Sequence, residues 1–481
     1  MASEDIQRTR SVVMLTLIYA VNLLCIGGAF TIISFIYDTI GLYNLGQMTL
    51  LLNWFSYAVG ILYTKQILNF FNELRTSLFV GWIIYGSPIL VAMMAYKCYS
   101  SDSTTGVCNT GFIKFFNLSI AVLNGAIGYT YIWTGQYEFI NRISAEQEKK
   151  LHFSIFYSLI QFTGIFANIL NIAFYSYDFS SMVMFSGFYI VYLLMTLSVT
   201  WILPEINGYK PEEHYLVVEP DNDQLLGPDD LSGENKPSIK YSIARKLSLI
   251  MEVDDTNKQS SLPRAVFLMT PSIFPMSDDD SRLPSLRQAA QVYIDLAATP
   301  QMRSILPFML QGGLFQMYGK TVTYRLVVDV YDSLDVADSR VKEMICVQAI
   351  LLSIGAFLGS QLLKKIPPGS RNKIILFQSW TGTFCMILLY VLYSRMTNIW
   401  FALIPAFLIG GSEIGFSQLV SVYTAEEFPG STEAFALFKQ IQSLLSALNV
   451  LFYIMAPSWL FFTLSLLLFA GLSIWLRFSL K

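Results

Sequence analysis

Charge is scarce in this sequence. Asp, Glu, Lys and Arg make up 14% of 481 residues while hydrophobic residues make up 54%, a mix that cannot cover a water-soluble domain of this length. Histidine is scarcer, with only His152 and His214. Neither stands in a His/Cys/carboxylate cluster at ligand spacing, so no metal site is expected. A phosphate-binding P-loop and a G-x-S-x-G elbow are also missing, which argues against an ATP-driven pump, against an enzyme and against a cofactor. The net charge is −3 and the basic residues are scattered, so nucleic acid is not an expected partner. The five cysteines are too few for a disulfide scaffold; Cys25, Cys346 and Cys385 fall in apolar runs, whereas Cys98 and Cys108 flank one polar loop. On an oxidising side that pair either bridges or stays as two thiols. No small-residue cleavage pattern follows the first apolar run, so it is read as a retained helix.

What the chain has is long apolar runs. They lie near residues 11–37, 46–69, 77–96, 112–137, 152–175 and 182–203, and again near 303–322, 343–363, 374–394, 399–424, 433–456 and 458–477. Lipid offers no partner for backbone N–H and C=O groups, so runs of this length must cross as helices. The expected fold is therefore all-α and polytopic: twelve transmembrane helices in two six-helix bundles, 1–203 and 300–481. Pro457 separates the last two runs and cannot continue a helix. Arg8, Arg10, Lys65, Arg75, Arg142, Lys149, Lys150, Lys364, Lys365, Arg371, Lys373, Arg477 and Lys481 share one face of this topology. About five, among them Lys97, Arg325, Arg340, Lys342 and Arg395, lie on the opposite face, so both termini are expected in the cytoplasm. The lipid bilayer is the first expected partner; whether it is plasma membrane or endomembrane is not encoded.

Residues 204–299 are polar, acidic and rich in Ser, Pro and Asp. Such a stretch cannot bury enough apolar surface to fold and reads as a mostly disordered cytoplasmic linker. Its end, LRQAAQVYIDLAA, has the spacing of an amphipathic helix leading into the seventh run. Ser248, after Arg245 and Lys246, and Ser277, before three Asp residues, are phosphorylation candidates; the alternative is an inert solvated linker.

The two halves echo each other. Ile127-Gly128-Tyr129 in the fourth run matches Ile414-Gly415-Phe416 in the tenth, and FSIF from Phe153 matches FALF from Phe435, 282 residues later (435 − 153). Carriers built from such repeats place their binding site between them near the midplane. Glu413 lies mid-run among Gly410, Gly411 and Gly415, where a carboxylate costs a few kcal/mol unless it faces a cavity or a partner. It is a candidate coupling or substrate group, or else a packed and neutralised carboxylate. Lys439 and Lys320 are its candidate cationic partners, although Lys439 can instead snorkel to the surface beside Glu426, Glu427 and Glu433. Of the many buried-run amides, most are read as packing, and Gln136 and Gln418 are kept as central-cavity candidates.

The stretch GGSEIGFSQLVSVYTAEEFPGSTEAFALFKQIQSLLSALNVLFY resembles the Unc-ninety-three family of the major facilitator superfamily. Glu413 stands at the family's acidic position, and Glu427-Phe428-Pro429 and Ala434 to Lys439 match its turn and following helix. LYNLGQMTLLLNWFSYAVG, IWTGQYEFI and LPFMLQGGLFQMYGKTVT agree as well, while Tyr137 replaces a Gly and Ser417-Gln418 replace Asn-Thr. The superfamily's cytoplasmic loop motif is degenerate after the second run, with Lys65 and Arg75, and better kept after the eighth, with Gly359, Lys364 and Arg371. The resemblance implies the major facilitator fold and a regulator of ion channels or trafficking partner of another membrane protein. The residues alone leave a second expectation open, a secondary transporter of a small solute or ion coupled through Glu413.

Overall fold

The computed structural model describes residues 2–39, 41–42, 44–71, 73–101, 106–145, 148–177, 180–204, 285–318, 338–364, 371–393, 400–428, 431–456 and 458–480. Lys320, Ser248, Ser277, Pro457 and residues 205–284 of the linker lie outside them.

Every apolar run is helical over part or all of its length. The first half contains α1 (Ala2–Thr39), α2 (Leu45–Ile61), α3 (Thr64–Asn69), α4 (Leu74–Tyr85), α5 (Ser87–Ser100) and α6 (Thr110–Leu123). A π segment (Asn124–Thr134), α7 (Gly135–Ile143), α8 (Lys149–Ser176) and α9 (Ser181–Ile202) complete it. The second half contains α10 (Leu286–Ala297), α11 (Pro300–Met317), α12 (Asp338–Lys364) and α13 (Arg371–Tyr393). It ends with α14 (Trp400–Glu427), α15 (Thr432–Met455) and α16 (Ser458–Ser479). Among the described residues ten helices are long and apolar enough to cross a membrane. The second and seventh runs fall short of that measure for a physical reason: α2 is 17 residues long, and α11 carries Arg303, Pro307 and several amides.

Local chemistry explains the breaks. Between α4 and α5, Pro88 has no N–H to continue the ladder, and the Ser87 hydroxyl donates to the Ile84 carbonyl at 2.6 Å instead. Tyr192 fills the space over Gly86, where any Cβ would collide with its ring, and donates to the Trp82 carbonyl. The fourth run is continuous in space through a π segment, whose wide turn is often found near functional sites.

Helix pairing repeats between the halves. The first run packs on the fifth and sixth as the seventh packs on the eleventh and twelfth; the third packs on the fourth as the ninth packs on the tenth. The second and fourth touch through Gly60 against the Ala126 carbonyl, and the eighth and tenth through Gly355 and Gly410 against the Phe407 and Leu352 carbonyls. Small residues permit this approach, which is how helices associate where lipid removes the hydrophobic drive between them. Across the halves, α2 packs on α15 and α8 packs on α12, two contacts that the repeat exchanges with each other.

The amphipathic lead-in is present as α10. Ser285 and Gln288 form a complete capping box, and Ala289, Tyr293 and Leu296 are buried. The Tyr293 hydroxyl donates to the Ile61 carbonyl of α2 at 2.8 Å. Burial, with Glu433 nearby, raises its pKa above the ordinary phenol value, so it remains a donor.

Candidate functional site

The polar groups of interest gather where the two halves meet. On α15, Lys439 is 7% exposed, so it does not snorkel to the surface. Its ammonium donates to Gln442 Oε1 at 2.9 Å and stands 4.9 Å from the Phe438 ring, 5.5 Å from Phe435 and 5.6 Å from Trp133 of the opposite half. Aromatic faces attract a cation most when water is absent. Glu426 and Glu427, expected beside Lys439, are held by Arg371 at 3.3 and 2.7 Å.

A hydrogen-bonded chain leads on from the lysine. Gln442 Nε2 donates to Ser417 Oγ on α14 at 3.5 Å, and Glu413 lies one turn from Ser417 on the same helix face. Glu413 itself is half-buried. Gly415 takes a different face, pressed against Gln378 of α13, whose amide donates to the Ser412 carbonyl at 2.8 Å.

Gln418 crosses the seam. Its Nε2 donates to Ser154 Oγ of α8 at 2.8 Å, and one turn away the Tyr157 and Ser421 hydroxyls lie 2.9 Å apart. Gln418 Oε1 and both amide atoms of Gln136 are buried with no protein partner. Burying such groups without a partner is costly. The structure thus brings Gln418 and Lys439 to the seam, with Glu413 one turn from Ser417 at the far end of the lysine's chain. Gln136 lies fully buried on α7 beside Tyr137.

Sequence reasoning missed Glu138. It is 3% exposed, accepts from Arg142 Nε at 2.6 Å, and accepts from the Thr432 hydroxyl at the start of α15. Its i,i+4 spacing from Arg142 was the available signal, but on a helix end that pattern usually marks a solvated surface pair. His152 is also packed at this end, with Ser144 Oγ at 2.6 Å from Nδ1 and Thr9 Oγ1 at 3.3 Å from Nε2. At the opposite end Cys98 and Cys108 are joined, with Cα atoms 5.2 Å apart. Among the described residues no group of three His, Cys, Asp or Glu could hold a metal.

No model of a known protein family matches the sequence, and no curated protein matches it. Solved structures do. A POT family transporter in complex with a thioalcohol-conjugated peptide is 12% identical with a TM-score of 0.57, covering 98% of this chain and 97% of its own. A POT family transporter in complex with 5-aminolevulinic acid gives 13% and 0.56 over 98% and 97%. The human organic anion transporter MFSD10 gives 11% and 0.53 over 98% and 99%. At these identities the likeness speaks for the fold, and with the repeated helix pairing it identifies the chain as an all-α, polytopic membrane protein with the fold of major facilitator transporters.

Proposed function

We propose that this chain is a secondary carrier of a small solute bearing a carboxylate, received at Lys439 and coupled through Glu413. The observation that carries the reading is the Lys439 ammonium, 7% exposed between aromatic rings of both halves and hydrogen-bonded toward the helix face of Glu413. An ionised side chain at this depth costs a few kcal/mol and is kept where it serves a pathway or a partner. The neighbouring folds support the class, since they are transporters seen with a peptide conjugate or 5-aminolevulinic acid, or named for organic anions. In this reading 1–203 and 300–481 are the two bundles, 204–299 is a cytoplasmic linker with Ser248 and Ser277 as phosphorylation candidates, and both termini are cytoplasmic.

The test is uptake into proteoliposomes containing the purified chain, with 5-aminolevulinic acid and a dipeptide as probes. Saturable uptake of at least one is expected, lost in Lys439→Met. In Glu413→Gln, proton-driven accumulation should vanish while exchange across equal pH persists. No saturable uptake of either probe, or uptake indifferent to both substitutions, would overturn the proposal.

A second reading, a non-catalytic regulator or trafficking partner of another membrane protein, draws on where the resemblance falls. IWTGQYEFI and AFALFK meet across the seam, with Tyr137 and Phe435 stacked at 4.1 Å. It predicts a co-purifying membrane protein after gentle extraction, and recovery only as a solitary chain across several detergents counts against it.

A further inference from the structure

The π segment and α7 run antiparallel to the start of α15, and three residues from each make matched contacts. Trp133 faces Lys439 at 5.6 Å. Tyr137 stacks on Phe435 with ring centroids 4.1 Å apart and planes within 3°. Glu138 receives the Thr432 hydroxyl. The order is antiparallel: residue numbers rise from 133 to 138 on one side of the ladder while they fall from 439 to 432 on the other. We propose that this three-rung ladder is the gate that closes the carrier at the end bearing its termini, and that Glu138 is its pin.

Several observations support a gate over ordinary packing. Glu138 is a buried carboxylate satisfied from both sides of the seam, by Arg142 on its own helix and by Thr432 on the other half. Hydrogen bonds to an ionised acceptor in a dry setting are the strong kind, and losing one leaves a buried charge short of a partner. The carboxylate also faces the first turn of α15, where the helix N-terminus favours negative charge. The rung sits two turns from Lys439, so the pin and the solute group share one rigid helix. The repeat supplies a mate for the ladder: the 282-residue offset carries Lys439 onto Tyr157, and Tyr157 meets Ser421 across the same seam. Two related seals flank the seam at one end, the arrangement needed if the halves rock about a fixed site.

That the seal is a gate rests on the carrier reading; that Glu138 holds it shut does not. The experiment therefore reads access without transport. A cysteine is placed at the fully buried Ser421, and its labelling by a membrane-impermeant maleimide offered from the face of the termini is timed. Against that parent, Glu138→Gln and Thr432→Val should each raise the rate about tenfold, as expected when a charged hydrogen bond holding a two-state seam is lost. Buried Cys25, Cys346 and Cys385 should stay unreactive. Unchanged labelling overturns the pin. So does a rise in Glu138→Gln that Thr432→Val fails to reproduce, since the cross-seam bond would then be idle, and so does reaction of all cysteines together, which signals general loosening. Raised labelling with no uptake of either probe leaves the pin standing and removes the carrier.

Discussion

Single charges behave here according to how much water reaches them. Arg371 bridges Glu426 and Glu427 and stands 4.6 Å over the Tyr423 ring, yet its side chain is 36% exposed and its partners 48% and 31%. Screening reduces such pairs to about 1 kcal/mol or less, so Arg371→Met should lower the thermal midpoint in detergent by a few degrees at most. A loss of folding in that variant would show that the pair is structural. Glu138, by contrast, is nearly dry and its loss is expected to be felt at the seam. Burial also decided which residues could be read in advance. Glu413 and Lys439 stand out because they interrupt apolar runs, whereas Glu138 lies near the end of a run beside Arg142 and looks like a surface pair. Its burial comes from α15, whose approach no local pattern announces.

At the scale of elements, the helices were legible and their joints were not. Apolar length alone locates each spanning run, and the capping box of Ser285 and Gln288 marks the start of α10. The break at Gly86 and the π segment at Asn124–Thr134 depend on neighbours: Tyr192 seated over Gly86 and Gly128 pressed toward Ile84 and the Tyr85 backbone. Close backbone contact makes a sharp prediction. A methyl on Gly355 would meet the Phe407 carbonyl, and backbone cannot swing aside as a flexible side chain can. Gly355→Ala should therefore destabilise the chain by about 1–3 kcal/mol or more, whereas Gly471→Ala, with nothing within 4 Å, should be neutral or slightly stabilising. Thermal unfolding of both variants in one detergent decides the point; equal midpoints would mean that α12 and α14 can part without cost.

For the whole molecule, the two halves and the two ends tell a single story about sidedness. Basic residues gather at the end where Arg8 meets Glu148 and Arg371 meets the foot of α14, and the Cys98–Cys108 bridge sits at the other. A disulfide persists where the compartment is oxidising and Lys and Arg accumulate on the cytoplasmic side, so both signals support the proposed orientation with cytoplasmic termini. The bridge closes a short loop of separation 10 and should contribute roughly 2–3 kcal/mol. Cys98→Ser should therefore lower the midpoint modestly and abolish the mobility shift that reduction followed by a bulky maleimide produces. Epitopes at residues 1 and 481 should both be reached by antibody once the plasma membrane alone is permeabilised. An epitope inserted at 102–105 should be reached either on intact cells or only after internal membranes are opened, according to the membrane occupied. If the termini and that loop became accessible together under every condition, the three crossings between residue 1 and the loop would fail, and with them the pairing of halves from which the seam, the lysine site and the gate are built.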